Sequence, residues 1–220
     1  DKNRDVYKSA GATNIMPKIV KKNPALNLLG QLRIYSLLDL ILLIIAIKAN
    51  KLEFLGIIFL HLAFLLYLES VHHHPYRISF PKYLWIPIAI IGIIFYKNIA
   101  VLGFIAVSFL YTQKNKKALS PYSPLFRGLQ LYFLAAGILV FSHPLSFLSF
   151  SLSTIRNFTG DLRDVEKDKK ENLRTLPILL GFRKNIKYIH LILLLITTFV
   201  WWYLSGISIF WLIGVYATQI

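Results

Sequence analysis

The sequence contains no cysteine, and acidic residues are scarce, with ten Asp and Glu among 220 residues. Without cysteine the chain forms no disulfide, thiolate nucleophile, Cys-ligated zinc site or iron–sulfur cluster. It also lacks a Walker loop, a glycine-rich dinucleotide fingerprint, a Gly-x-Ser-x-Gly elbow and a zinc-protease motif. These absences exclude the enzyme chemistries that short motifs identify most directly.

The composition is that of a membrane protein, since 56% of the residues are hydrophobic and only 16% are charged, against about 25% charged in soluble domains. Apolar blocks alternate with short charged stretches, and most blocks are shorter than the ~20 residues that cross a bilayer alone. We therefore expect polar helix ends that neighbouring helices bury. The sequence predicts an all-α, polytopic transmembrane helix bundle over residues 33–220, after a basic N-terminal segment 1–32. The eight predicted spans are 34–47, 54–68, 83–96, 99–111, 129–141, 145–155, 188–204 and 207–220.

The basic residues predict the orientation of these spans, because cytoplasmic connections hold most Lys and Arg. If the N-terminus is cytoplasmic, 22 of the 25 Lys and Arg fall on the cytoplasmic side, and only Lys48, Lys51 and Lys97 fall on the other. We therefore expect the net charge of +15 to interact with anionic lipid headgroups of the membrane or with an anionic substrate. We expect no nucleic-acid partner, since that would need a basic, folded soluble surface.

Half of the acidic residues lie within residues 161–171. Asp161, Asp164 and Asp168 stand at i, i+3 and i+7, which predicts one stripe of a helix that continues the sixth span into the cytoplasm. Such carboxylates repel one another unless a cation lies among them, and an all-oxygen ligand set suits Mg²⁺ or Mn²⁺ bridging to phosphate. The alternative is a solvated loop whose charges pair among themselves, and spacing alone leaves both open.

The segment from Ile155 to Gly181, including Arg174-Thr-Leu-Pro-Ile-Leu-Leu-Gly, resembles the second aspartate-rich motif of the UbiA superfamily of intramembrane prenyltransferases. Tyr111-Thr-Gln-Lys-Asn-Lys-Lys is similar to a weaker family element near the diphosphate. The resemblance extends from about residue 28 onward. CDP-alcohol phosphotransferases also carry spaced aspartates, but their Asp-Gly and Ala-Arg elements are absent.

The resemblance implies a helical bundle, usually of nine spans, around a central cavity that cytoplasmic loops cap. It implies an enzyme that binds a polyprenyl diphosphate through Mg²⁺ and transfers the prenyl group to a hydrophobic acceptor, lipid or aromatic. The cation would act as a Lewis acid on the leaving diphosphate. Asp161, Asp164 and Asp168 would be the catalytic metal ligands. The implied substrate-binding residues are Lys114, Lys117, Arg156, Asn157 and Arg174.

The first aspartate-rich motif of the family is missing from residues 62–77, where Glu69 is the single acidic residue. Three interpretations follow. Glu69 and one or more of His72, His73 and His74 rebuild a second metal half-site, or one metal cluster works with basic residues. In the third, the chain is a noncatalytic isoprenoid-binding subunit of a partner, or a transporter.

Asp39 lies within the first predicted span, where an ionisable residue is costly and is by default a functional hypothesis. It could equally lie near a helix end or pair with Arg33. His61 and His190, each alone in an apolar run, are expected to be packed and hydrogen-bonded rather than catalytic.

Overall fold

The computed structural model describes residues 34–71, 80–113, 118–170, 172–182, 186–208 and 210. In these ranges the chain forms eight α-helices and no β-strand, which confirms the predicted all-α class. The segment 1–32 and most of the eighth predicted span, 207–220, lie outside the described residues. The helices are α1 (Ile34–Ala46), α2 (Lys51–Val71), α3 (Trp85–Tyr96), α4 (Ala100–Thr112), α5 (Ser123–Ala136), α6 (Pro144–Lys170), α7 (Leu176–Leu179) and α8 (Ile186–Ser205).

The first four predicted spans match α1 to α4 in order, and the seventh matches α8. Each agrees to within three residues at each end. The fifth, 129–141, was predicted wrongly, because α5 begins at Ser123 and ends at Ala136. Pro124 lies in the first turn of α5, where the missing N–H has no helical partner to lose. The polar start of α5 is therefore helical, and the apolar residues 138–141 form the connection to α6.

Helix α6 has 27 residues and joins an apolar half to a polar half that contains both acidic and basic residues. This confirms the prediction that a helix continues through the three aspartates. It is about 40 Å long at 1.5 Å per residue. Beyond Lys170 the chain turns at Asn172, whose φ is 54°. The one-turn helix α7, which the sequence did not predict, then packs against α6 and the 3-10 turn Ser120–Tyr122.

Glycines allow α2 and α3 to pack closely. A Cβ on Gly56 would lie 2.7 Å from the backbone nitrogen of Tyr96, and one on Gly92 would lie 2.9 Å from that of Leu60. Small residues on facing helices allow the two backbones to pack closely. Such packing is typical of membranes, where the hydrophobic effect does not drive helices together. The core that these helices share with α1 and α5 is built mainly of leucine, including Leu40, Leu43 and Leu134.

Two helices in the described ranges, α2 and α8, are long and apolar enough to cross a membrane. The 21 residues of α2 extend about 32 Å, which matches a hydrocarbon core of about 30 Å. Helices α3 and α4 are also apolar but have only 12 and 13 residues. Helix α8 exposes a continuous apolar face, formed by Tyr188, Leu191, Ile192, Leu195, Ile196, Phe199 and Tyr203.

Candidate functional site

The aspartate stripe occupies the polar half of α6, and its three members have different surroundings. Asp161 accepts a hydrogen bond from the Ser123 hydroxyl, with 3.1 Å between Oγ and Oδ2. Asp164 forms a two-pronged ion pair with Arg163, at 3.0 and 3.2 Å, and its side chain is 42% exposed. Asp168 is buried, with 8% exposure. Along the stripe, Asp161 therefore contacts α5, Asp164 is open to solvent and Asp168 is buried.

Asp161 lies beside the start of α5. Ser123 is the first residue of this helix and is buried. The first-turn N–H groups of a helix carry partial positive charge, which favours a nearby carboxylate. Asp161 therefore connects α6 to the first turn of α5.

Glu166, Lys169 and Lys170 lie on the outer surface of α6. The Lys169 ammonium donates to the Glu166 carboxylate at 2.9 Å, and this hydrogen bond lowers the pKa of Glu166. These residues form a solvated face that is separate from the face of Asp161. They serve as controls for experiments on the stripe.

Arg156, one of the predicted substrate-binding residues, forms a buried ion pair with Asp39 of α1. Its Nε lies 2.9 Å from Asp39 Oδ2, and its Nη2 lies 3.0 Å from Oδ1. The two side chains are only 11% and 13% exposed. The partner of Asp39 is thus Arg156; Arg33 lies outside the described residues.

The third nitrogen of Arg156 binds α8. Nη1 donates to the Leu194 carbonyl and to the hydroxyls of Thr197 and Thr198, at 3.3, 3.3 and 3.1 Å. A buried charge is tolerated when it is paired and its remaining donors are satisfied. Arg156 therefore joins α1, α6 and α8, and its guanidinium is engaged by protein groups.

Asn157, the next residue, points to a different helix. Its Nδ2 lies 3.3 Å from the hydroxyl oxygen of Tyr111 in α4. This contact brings together the two segments that carry the sequence resemblance, since Tyr111 begins the Tyr-Thr-Gln-Lys-Asn-Lys-Lys element. The Oδ1 atom of Asn157 is buried and has no hydrogen-bond partner among the described residues.

Arg127 of α5 extends this contact into a chain across four helices. Its guanidinium carbon lies 5.4 Å from the centre of the Phe64 ring in α2, and Phe64 packs edge-on against Tyr111 with 5.5 Å between ring centres. We call Arg127, Phe64, Tyr111 and Asn157 the Arg127 cluster. No sequence pattern singled out Arg127, which lies in the predicted connection between the fourth and fifth spans.

The remaining predicted residues lie around this region or outside the described ranges. Arg174 is exposed in the connection between α6 and α7. Glu69 is partly buried near the end of α2. Lys114, Lys117 and the three histidines 72–74 are outside the described residues. His61 is fully buried and packs 6.0 Å from Phe64, and His190 lies on α8, partly buried.

In the parts of the chain that the structure describes, no three Asp, Glu or His side chains form a group that could hold a metal ion. The donor chemistry of the stripe nonetheless fits Mg²⁺, because all its donors are carboxylate oxygens. Asp161 and Asp164 lie one turn apart. The Asp164–Arg163 pair is exposed, and such pairs contribute only about 0–1 kcal/mol, so Asp164 can exchange Arg163 for a cation. These two residues fit a divalent cation best.

The Asp39→Asn variant should be strongly destabilised, because it leaves the Arg156 charge buried without a counter-charge. Removing one member of a buried pair costs about 3–5 kcal/mol, and we expect a lower unfolding temperature in detergent. The exposed pair offers a matched control, since Arg163→Gln should cost less than about 1 kcal/mol. Equal stability of Asp39→Asn and the native chain would contradict a structural role for this pair.

Comparison of the chain with protein-family models, with curated proteins and with solved structures found no match in any of the three.

Proposed function

We propose that this chain is a multi-pass membrane protein of the prenyltransferase type. It binds a polyprenyl diphosphate at the cytoplasmic end of the bundle and transfers the prenyl group to a hydrophobic acceptor. The contact between Asn157 and Tyr111 is the observation that carries this proposal, because it joins the two sequence elements that resemble the family. The elements are 46 residues apart in the chain, and each would contribute to a diphosphate site.

Membrane insertion is supported by the surfaces of the helices. Alongside the apolar face of α8, helix α3 exposes Ile90 and Ile94, and α4 exposes Leu102 and Phe109. Apolar faces of this extent are unfavourable in water and suit lipid contact. The positive charge of the connections that precede α5 and follow α6 supports a cytoplasmic location for these connections.

Different residues of the chain would hold the cation, bind the diphosphate and exclude water. Asp161 and Asp164 would hold Mg²⁺, which when bound supplies the charge that stabilises the leaving diphosphate. Arg174, with Lys114 and Lys117, would bind the outer oxygens of the same group. The aromatic faces of Phe64 and Tyr111 would exclude water and stabilise positive charge developing on the prenyl carbon.

A noncatalytic isoprenoid-binding subunit is the second candidate, and a specific observation favours it. Arg156 is engaged by Asp39 and α8, and Glu69 is the single acid where the family's first motif would stand. Such a protein would bind the diphosphate at the same aspartates without turning it over. Transfer, rather than binding, distinguishes the two candidates.

Two single-cysteine variants test the membrane orientation, because the chain contains no native cysteine. Lys51 and Lys169 are both exposed, at the start of α2 and near the end of α6. In sealed cells, a membrane-impermeant maleimide should label Lys51→Cys directly and Lys169→Cys only after permeabilisation. Labelling of both from one side, or release of the chain by alkaline carbonate, would contradict the orientation or the insertion.

A transfer assay with geranylgeranyl diphosphate and Mg²⁺ tests the reaction. Asp161→Asn and Asp164→Asn should each lower the transfer rate at least tenfold, since each removes a charged ligand of the cation. Glu166→Gln, on the outer face of the same helix, should retain the native rate. Native rates for both aspartate variants would refute the site. Aspartate-dependent binding without transfer to quinone-precursor, porphyrin or glycerol phosphate acceptors would select the noncatalytic candidate.

A further inference from the structure

Four helices meet at the Arg127 cluster. Helix α5 contributes Arg127, α2 contributes Phe64, α4 contributes Tyr111 and α6 contributes Asn157. Phe64 and Tyr111 are 4% and 3% exposed, so the guanidinium of Arg127 lies against a buried aromatic wall. A cation in such surroundings interacts more strongly with an anion than it would in water.

The orientation of Arg127 is set by a hydrogen bond to Gln130 of its own helix, and Gln130 is in turn held by α4. Its Nη1 donates to Gln130 Oε1 at 2.8 Å, and Gln130 Nε2 donates to the Ser108 hydroxyl at 2.7 Å. Gln130 is fully buried and Ser108 is 6% exposed. A guanidinium held this way is pre-organised, and its planar fork of N–H donors matches the oxygens of a phosphate.

Along α5, Arg127 of the cluster lies further into the bundle than Ser123, which contacts the aspartate stripe. Ser123 of α5 contacts Asp161, and the Ser149 hydroxyl donates to the Leu131 carbonyl at 3.3 Å. The two helices are therefore antiparallel. Arg127 is midway between Ser123 and Leu131, so its level along α6 is near residue 155, within one turn of Asn157. Four residues of helix place Arg127 about 6 Å deeper in the bundle than Ser123.

Asn157 supplies a second group for an anion at this depth. Its Oδ1 is buried without a partner among the described residues, while Nδ2 contacts the Tyr111 oxygen. A half-turn of the amide lets the Tyr111 hydroxyl donate to Oδ1 and directs the two Nδ2–H donors at a ligand. In that orientation Tyr111 would satisfy the Oδ1 acceptor, and an anion beside Asn157 would accept from the Nδ2–H donors.

We propose that Arg127 binds the phosphate group nearer to the prenyl chain, with Asn157 as its neutral partner. This assignment rests on the proposed function, because the aspartates would hold the outer part of the same diphosphate. It gives the site a guanidinium from within the bundle, which Gln130 and the Phe64 ring hold in place. The prenyl chain would then continue between the helices, past Phe64.

The test compares the affinities of geranylgeranyl diphosphate and geranylgeraniol for the full chain in detergent with Mg²⁺. Arg127→Gln should weaken diphosphate binding about tenfold or more, which is the typical effect of losing a charge-assisted hydrogen bond. Its affinity for the alcohol should stay within about twofold of native, because the alcohol offers no anion. Lys169→Gln, which removes an exposed cation from the outer face of α6, should leave both affinities unchanged.

Arg127→Lys keeps the test decisive if the glutamine variant fails to fold. Lysine retains the charge but not the planar fork, so diphosphate binding should fall by about threefold while alcohol binding is retained.

Native affinities for both ligands, or equal loss for both, would overturn the assignment and leave Arg127 a packing residue. Native diphosphate binding with a raised KM for the acceptor would also overturn it, by placing Arg127 at the acceptor. If the native chain binds the diphosphate no more tightly than the alcohol, the proposed function fails, and this assignment fails with it.

Discussion

The buried ion pair between Asp39 and Arg156 constrains the arrangement of the helices more than any other polar contact described. A guanidinium with little exposure must find an acceptor for each of its nitrogens, and here α1 and α8 together provide them. This requirement fixes the rotation of α6 about its axis. Asn157, the next residue, is about 100° further around a helix of 3.6 residues per turn and faces α4. Asp161, one turn beyond Asn157, then faces the start of α5.

The two arginines near the centre of the bundle have different surroundings and, in our account, different roles. Arg156 is neutralised by a carboxylate, so its contribution is to hold three helices together. Arg127 contacts the Phe64 ring and donates a hydrogen bond to the Gln130 side-chain oxygen. A cation with aromatic and amide neighbours can still attract an anionic ligand. Arg156 is therefore a structural residue, and Arg127 is the arginine that we propose for the ligand.

The sequence predicted the all-α class, the bounds of most helices and the continuation of α6 through the aspartates, because apolar blocks and helical spacing are local signals. It misplaced α5, whose first turn is polar and contains Pro124, and it missed α7. The pairing of Asp39 with Arg156 joins residues 117 positions apart, and no local pattern encodes such a contact. Arg127 could have been found only by starting the fifth helix at Ser123, which places Ser123, Arg127 and Gln130 on one stripe at i, i+4 and i+7.

A structure with a bound substrate analogue would show where the diphosphate binds. The chain would be co-crystallised with Mg²⁺ and geranylgeranyl thiodiphosphate, a slowly reacting substrate analogue. We predict one phosphorus near Asp161 and Asp164, and the other within hydrogen-bonding distance of Arg127, between the polar ends of α5 and α6. A diphosphate bound on the outer face of α6, or elsewhere in the chain without contact to Asp161 and Asp164, would contradict this location.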